Sequence, residues 1–221
     1  NLLGVATVDY SGSAKGIVAQ LDSLTPRDFD GFTHVQNLNG SAFADRLSGD
    51  SRDNVLNGGA GDDVLTGKGG NNVLSGGAGI DTASYEGAPT GVVVDLAKGT
   101  ASNGYGGIDR LTSIENLLGS SHDDILSGDT GSNRLEGGGG NDLLIGGGGY
   151  DHYVIARGQG HDTLINGIGE ARGALRIDNE SRESLWFQRA GNDLRVQLLG
   201  SDTDITVQGW YDNSVSRLDR I

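Results

Sequence analysis

The chain of 221 residues has no cysteine, no methionine, two prolines and two tryptophans. The missing cysteines exclude a disulfide scaffold, a thiolate zinc finger and thiol redox chemistry. No apolar run approaches the roughly 18 residues that a membrane-spanning helix needs. No basic stretch followed by an apolar one opens the chain, so no cleavable signal is visible. A start at Asn1 leads us to expect a fragment, monomeric by itself, of something longer.

Basic residues are also scarce. Sixteen Lys and Arg face 30 Asp and Glu, a net charge of −14. Such a chain repels nucleic acid and anionic lipid, and it suits cations. Hydrophobic residues are 35% and aromatics 5%, too little bulk for a conventional thick core. Glycine is abundant instead, at 40 residues against an average of about 7% of a chain. Disorder is the obvious reading of this composition, but the glycines are periodic.

The period is nine. Gly58-Gly59-Ala60-Gly61-Asp62-Asp63-Val64-Leu65-Thr66 is followed by Gly67-Lys68-Gly69-Gly70-Asn71-Asn72-Val73-Leu74-Ser75, then by Gly76-Gly77-Ala78-Gly79-Ile80-Asp81-Thr82-Ala83-Ser84. Poorer units run back to Gly40. A second array runs from Gly119 to Asp151 and closes, after two extra residues, on Gly158-Gln159-Gly160-His161-Asp162-Thr163-Leu164. A larger repeat lies above the small one. Tyr10, Gly16 and Leu21 recur, at one constant offset, as Tyr85, Gly91 and Leu96. Val35-Gln36-Asn37-Leu38 recurs at a slightly longer offset as Ile114-Glu115-Asn116-Leu117, and the second array keeps that longer offset. The inserted residues are placed in the Lys98 to Gly107 loop.

These nonapeptides resemble the RTX (repeats-in-toxin, haemolysin-type) calcium-binding family, whose unit is Gly-Gly-x-Gly-x-Asp-x-aliphatic-x. The resemblance covers about half of the chain. It implies an all-β fold of parallel β-rolls. Chemistry supports the same expectation. Six Gly-rich residues turn at low cost, and three residues of x-aliphatic-x form a short strand with one side chain inward. Two units then make one coil, and turns two units apart stack about 4.8 Å from each other. An ion midway would lie about 2.4 Å from oxygens on either turn, a calcium distance rather than a magnesium one.

Position six should therefore carry aspartate in every second unit along one edge. Asp45, Asp63 and Asp81 do so, as do Asp124 and Asp142, with Asp162 after the insertion. The other edge carries Asn54, Asn72 and Asn133, then Asp151. Asp50 and Asp129 stand at position two of that edge and make it, with those asparagines, a weaker candidate. Unpaired carboxylates about 5 Å apart repel by about 3 kcal/mol at an effective dielectric near 20, so folding is expected to require the cation. The resemblance implies ligands from Gly59, Gly61 and Asp63 with Gly76, Ala78 and Asp81, and from Gly138, Gly140 and Asp142 with the Asp162 turn. It implies several calcium ions, about four to six. Phe43 and His122 replace the usual glycine in the first turn of each array.

Five segments are predicted: lead-in strands over 1–31, a first roll over 32–85, flanking strands and loop over 86–113, a second roll over 114–164, and a small antiparallel β cap over 165–221. Ser13 to Leu21 and Thr90 to Ala97 are expected to pair beside the rolls. The last segment alternates, and Ala190-Gly191-Asn192-Asp193 reads as a hairpin turn. It resembles the haemolysin-related β domain that follows such arrays, and stacked repeats need a cap.

No His-Glu-x-x-His, Gly-x-Ser-x-Gly, phosphate-binding loop or EF-hand occurs. His161-Asp162 is too thin for a transition-metal site. The pairs Asp62-Asp63 and Asp123-Asp124 follow from the repeat, since sequence neighbours point apart. The expected function is a non-enzymatic calcium-binding module. The resemblance implies a secreted parent exported by a type I secretion machinery from a Gram-negative cell, a toxin, adhesin or exoenzyme. The alternative is a carbohydrate- or polyanion-binding accessory module with a glycan partner, for which the arginines after residue 165 provide a face.

Overall fold

The computed structural model describes residues 5–23, 35–167, 172–212 and 217–221. The expected start of the first roll at Phe32, and His34, lie outside them. The described residues form 21 short strands, two 3-10 turns and no α-helix. None of the described helices could cross a membrane. The chain divides into two compact units, Asn1–Tyr85 with Gly99–Ile114, and Glu86–Lys98 with Glu115–Ile221.

In the first unit, Ala6–Asp9, Val35–Asn39, Val55–Ala60, Val73–Ala78 and Ile108–Thr112 run parallel in that order. Thr100–Ser102 closes this sheet antiparallel to Ile108–Thr112. The opposing sheet is Val18–Gln20, Arg46–Ser48, Val64–Thr66 and Thr82–Ser84, all parallel. Register follows from the coil of two nonapeptides. Leu56 sits between Leu38 and Leu74, and Leu65 between Leu47 and Ala83. These inward aliphatics are all 0–1% exposed. Each buried leucine stabilises the roll by about 1.5–3 kcal/mol, so the core is a thin stack of single side chains.

The second unit repeats the plan. Val93–Asp95, Ile125–Ser127, Leu143–Ile145, His161–Ile165 and Asp204–Val207 run parallel, and Asp193–Leu198 and Leu185–Ala190 follow antiparallel. The opposing sheet is Asn116–Leu118, Arg134–Glu136, Tyr150–Ala156 and Arg172–Asp178. The long repeat is structural. Gly16 and Gly91 abut the backbone carbonyls of Ala44 and Asp123 in the same way. Asn37 and Asn116 accept the backbone N–H of Val55 and Arg134, both at 3.1 Å.

Two placements differ from the segments predicted. Residues 86–113 are shared between the units, because Val93–Asp95 pairs with Ile125–Ser127 while Ile108–Thr112 pairs with Val73–Ala78. Residues beyond 165 extend the roll's own sheets through Arg172–Asp178 and Asp204–Val207, and the antiparallel hairpin of Leu185–Ala190 and Asp193–Leu198 pairs onto Asp204–Val207.

Candidate metal centre

Each position-six side chain holds its stack together through one oxygen. The N–H of Asp45 donates to Asp63 Oδ1 and that of Asp63 to Asp81 Oδ1, both at 2.8 Å. In the second unit Asp124 N–H donates to Asp142 Oδ1 at 2.9 Å, Asp142 N–H to Asp162 Oδ1 at 3.0 Å, and Asn133 N–H to Asp151 Oδ1 at 3.0 Å. The aspartates are 0–2% exposed.

The second oxygen is the chemically open one. Among the described residues, Oδ2 of Asp63, Asp142, Asp151 and Asp162 is buried with no hydrogen-bond partner. A buried anion without partners is costly unless a cation meets it. The surrounding backbone supplies more acceptors. A Cβ on Gly58 would collide with Asp63 Oδ2 and lie 2.6 Å from the Gly76 carbonyl oxygen. A Cβ on Gly77 or Gly79 would strike the carbonyl oxygens of Gly59 and Gly61. Gly59 and Gly61, at φ +112° and +106°, hold a left-handed conformation that glycine adopts at no steric cost. The predicted set of Gly59, Gly61, Asp63, Gly76, Ala78 and Asp81 is thus brought together, and the Ala78 carbonyl already accepts Gly61 N–H at 2.8 Å. In the second unit, Gly137 abuts Asp142 Oδ2, Gly138 the Ser120 carbonyl, and the Gly140 carbonyl faces Gly160 beside the Asp162 turn. Carboxylate and carbonyl oxygens are the ligands that a hard divalent cation takes.

Protonation equilibria report the same strain. Burial, then the charges of Asp81, Asp45 and Asp62, pushes Asp63 up to about 6 despite its hydrogen bond from Asp45. Burial with Asp162, Asp124 and Asp123 pushes Asp142 up to about 8. Burial, then Asp129, raises Asp151 to about 6. Burial, then Asp204, raises Asp162 to about 7.

The first ladder aspartates are different. Asp45 accepts Ser41 N–H and, at 2.9 Å, its hydroxyl. Asp124 is capped in the same way by Ser120, whose hydroxyl donates at 2.8 Å. Both turns carry the bulky residue at position four, Phe43 or His122. These carboxylates are satisfied by serine and offer less to a cation than Asp63 or Asp142.

On the other edge, Asp50 lies against Arg52, whose Nε donates at 2.9 Å. Burial opposes ionisation there, but the Arg52 hydrogen bonds and charge outweigh it and hold the Asp50 carboxyl below its usual range. Asn54 N–H donates to Asn72 Oδ1 at 3.0 Å, which places these two as amide versions of the aspartate ladder. Asp129 accepts Gly131 N–H at 2.7 Å, and Asn133 Oδ1 accepts Asp129 N–H at 2.9 Å.

Three features escaped sequence reasoning. Asp109, fully buried, continues the amide edge by accepting the N–H of Asn72 at 3.2 Å. It lies in the Thr100–Thr112 hairpin, outside the nonapeptide frame, and no periodic signal marks it. Tyr85 faces it without full hydrogen-bond geometry. Position five carries a second ladder: Asp53, Asp62, Asp123 and Asn141 accept the N–H of Asn71, Ile80, Asn141 and His161 at 2.7–3.0 Å. A polar residue at position five was its signal. At the far end Asp204 accepts from Arg195 at 2.6 Å and lies 2.7 Å from His161 Nδ1, so arginine neutralises the last acid of the stack. Among the described residues no three His, Cys, Asp or Glu side chains converge on one point.

The arrangement is a β-roll whose buried aspartate oxygens lie beside the backbone of the Gly-rich turns. The family profile of the RTX calcium-binding nonapeptide repeat, in four copies, matches residues 39–74, 48–83 and 118–153. Those stretches are similar to the repeat, and the Asp162 turn lies beyond them. The crystal structure of the extracellular lipase LipA from Serratia marcescens is similar over 91% of this chain, with 19% identity and a TM-score of 0.37. The chain covers 42% of that lipase's chain.

Proposed function

We propose that this chain is a calcium-binding module of a longer secreted protein, in which ion binding and folding are coupled. The observation that carries this is the set of buried, unpartnered Oδ2 atoms on Asp63, Asp142, Asp151 and Asp162. Bound calcium would supply positive charge at these oxygens and tie each turn to the one stacked on it. The chain's own residues do the rest. Asp63 and Asp81 would hold an ion with the carbonyls of Gly59, Gly61, Gly76 and Ala78; Asp142 and Asp162 would do so with those of Gly138 and Gly140. Asp151 with Asp129 and Asn133 is the best of the other edge. About four to six ions fit this reading. Export through a type I secretion machinery, folding outside the cell, and a toxin, adhesin or exoenzyme parent rest on the repeat resemblance.

The test is calcium titration into chelator-stripped protein, followed by far-UV circular dichroism with magnesium as control. A cooperative gain of β signal with calcium and none with magnesium is expected. A chelator form as rich in β signal and as resistant to urea as the calcium form, or an equal response to magnesium, would overturn the reading.

A glycan-binding role is the second reading. Trp186 and Phe187 are 58% and 48% exposed on the strand Leu185–Ala190, and the Arg189 guanidinium stacks 4.5 Å over the Tyr211 ring. Exposed aromatics beside arginines suit a polyuronate or another anionic glycan. Binding to such a glycan that is lost in Trp186→Ala supports it, and equal binding by the variant counts against it.

A further inference from the structure

The two arrays contain the same turn twice, once with a basic side chain and once without. In the long repeat, Asp50, Arg52 and Asn54 of the first unit correspond to Asp129, Gly131 and Asn133 of the second. The backbone is shared. Asp50 Oδ1 accepts Arg52 N–H at 2.8 Å, as Asp129 Oδ1 accepts Gly131 N–H at 2.7 Å. Asn54 Nδ2 donates to the Gln36 carbonyl at 3.0 Å, as Asn133 Nδ2 donates to the Glu115 carbonyl at 2.9 Å. The difference is the guanidinium. Arg52 binds Asp50 Oδ2 through Nε and Nη2, and the same Nη2 donates to the Val35 carbonyl at 2.9 Å. It thus links a carboxylate of one turn to a carbonyl of the chain stacked before it, which is the work of a cation in these rolls.

The next step along this edge is closed by amides. Asn72 Nδ2 donates to Asp109 Oδ1 at 2.8 Å, and Asn103 Nδ2 donates to Asp109 Oδ1 at 2.9 Å and to the Gly70 carbonyl at 2.8 Å. A Cβ on Gly67 would meet the Asn72 amide nitrogen, a donor, at 2.6 Å and Asp109 Oδ2 at 3.1 Å. Lys68 of this turn pairs with Asp22, and its counterpart in the second array is Gly147. In the second unit the corresponding edge has no basic residue in either turn, and it ends on the buried, unpartnered Oδ2 of Asp151, within reach of the Asp129 charge.

We infer that Arg52 is a built-in cation: its guanidinium closes a turn of the first array that its copy in the second array closes with a metal ion. The Asp50 turn of the first unit is therefore metal-independent, and Asp50 and Asn54 hold no ion while Arg52 is present. This rests on the calcium reading above. The first unit then keeps its Asp50 turn formed at low calcium, while the matching turn of the second depends on the ion.

The test exchanges the two residues. Calcium bound per chain is measured by atomic emission after dialysis against buffered calcium, with circular dichroism as the check on folding. Arg52→Gly should bind one ion more than the parent. Gly131→Arg should bind one fewer; Gly131 has an ordinary φ, and an added Cβ would lie 3.1 Å from Asp129 Oδ1, so that carboxylate must give by a few tenths of an ångström. An Arg52→Gly protein that folds and binds the parental number overturns the inference. Where that variant does not fold, Gly131→Arg decides, and an unchanged count overturns it. A parent chain without bound calcium removes the calcium reading and this inference together, whereas a calcium-loaded parent with unchanged variants removes this inference alone.

Discussion

The N–H of Asp142 donates to Asp162 Oδ1 at 3.0 Å across a longer stretch of chain than any other rung of the aspartate ladder. The two extra residues are taken up near Gly158, whose N–H donates to Thr203 Oγ1 at 2.7 Å, and the carboxylates stay in line. Asp142, flanked by Asp124 and Asp162, is pushed up to about 8, by burial first and then by those charges. Asp142→Asn keeps an oxygen for the Asp124 N–H and removes the charge. In chelator the variant should resist urea better than the parent, by about 1–3 kcal/mol of relieved repulsion. In saturating calcium the order should reverse. Identical urea midpoints in both buffers would show that Asp142 is no ligand.

The first glycine of a nonapeptide tests the gap itself. Gly58 has no left-handed φ, so alanine meets no backbone strain there; what it meets is Asp63 Oδ2 and the Gly76 carbonyl. Gly58→Ala should cost the calcium-bound form about 1–3 kcal/mol through overpacking and lower its calcium affinity. Gly12→Ala, with nothing within 4 Å, should stay within about 0.5 kcal/mol of the parent. Denaturant curves and calcium isotherms for the pair separate the two effects, and equal behaviour would contradict a tight gap at Gly58.

The parts of this structure that follow the period were legible, and the parts that break it were not. Asp63, Asp81 and Asp142 are visible in sequence because one coil is two nonapeptides, so a recurrence in every second unit maps directly onto one edge. Leu56, Leu65 and Leu74 are visible for the same reason. Asp109 reaches the edge through a hairpin far along the chain from Asn72, and hairpin pairing has no fixed recurrence. Arg172–Asp178 continues the roll with one glycine, because a strand beside an existing edge takes its register from the neighbour rather than from a turn. Ser41 and Ser120 could have been read as caps, since a serine shortly before an aspartate across a tight turn can reach its carboxylate.

The core prediction separates the inward stack from the outer face. Leu65 is fully buried between Leu47 and Ala83, and the roll has only one such side chain per strand. Leu65→Ala should cost about 2–5 kcal/mol in the calcium-bound state, measured as a shift in urea midpoint. Val55, 42% exposed, should accept threonine within about 0.5 kcal/mol. A loss for Leu65→Ala no larger than that for Val55→Thr would mean that the ions alone hold the roll.

Acid should act in opposite directions with and without calcium. Asp63 and Asp151 at about 6, Asp162 at about 7 and Asp142 at about 8 all stand above the 3.8 of an unperturbed aspartate. The folded, calcium-free chain therefore binds protons that the unfolded chain releases. Between pH 8 and about 4 its stability rises as pH falls, and it levels off once the unfolded carboxylates are protonated as well. In calcium the same protons compete with the ion for the same oxygens, so the stabilisation by calcium shrinks as pH falls from 8 to 6. Urea midpoints at pH 8.5 and pH 5.5, each in chelator and in calcium, measure both arms. The chelator midpoint should rise and the gap between the two buffers should narrow at the lower pH. A chelator midpoint that falls on acidification would show that the ladder carboxylates carry no excess protons in the fold, and that their burial is offset by something other than the ion.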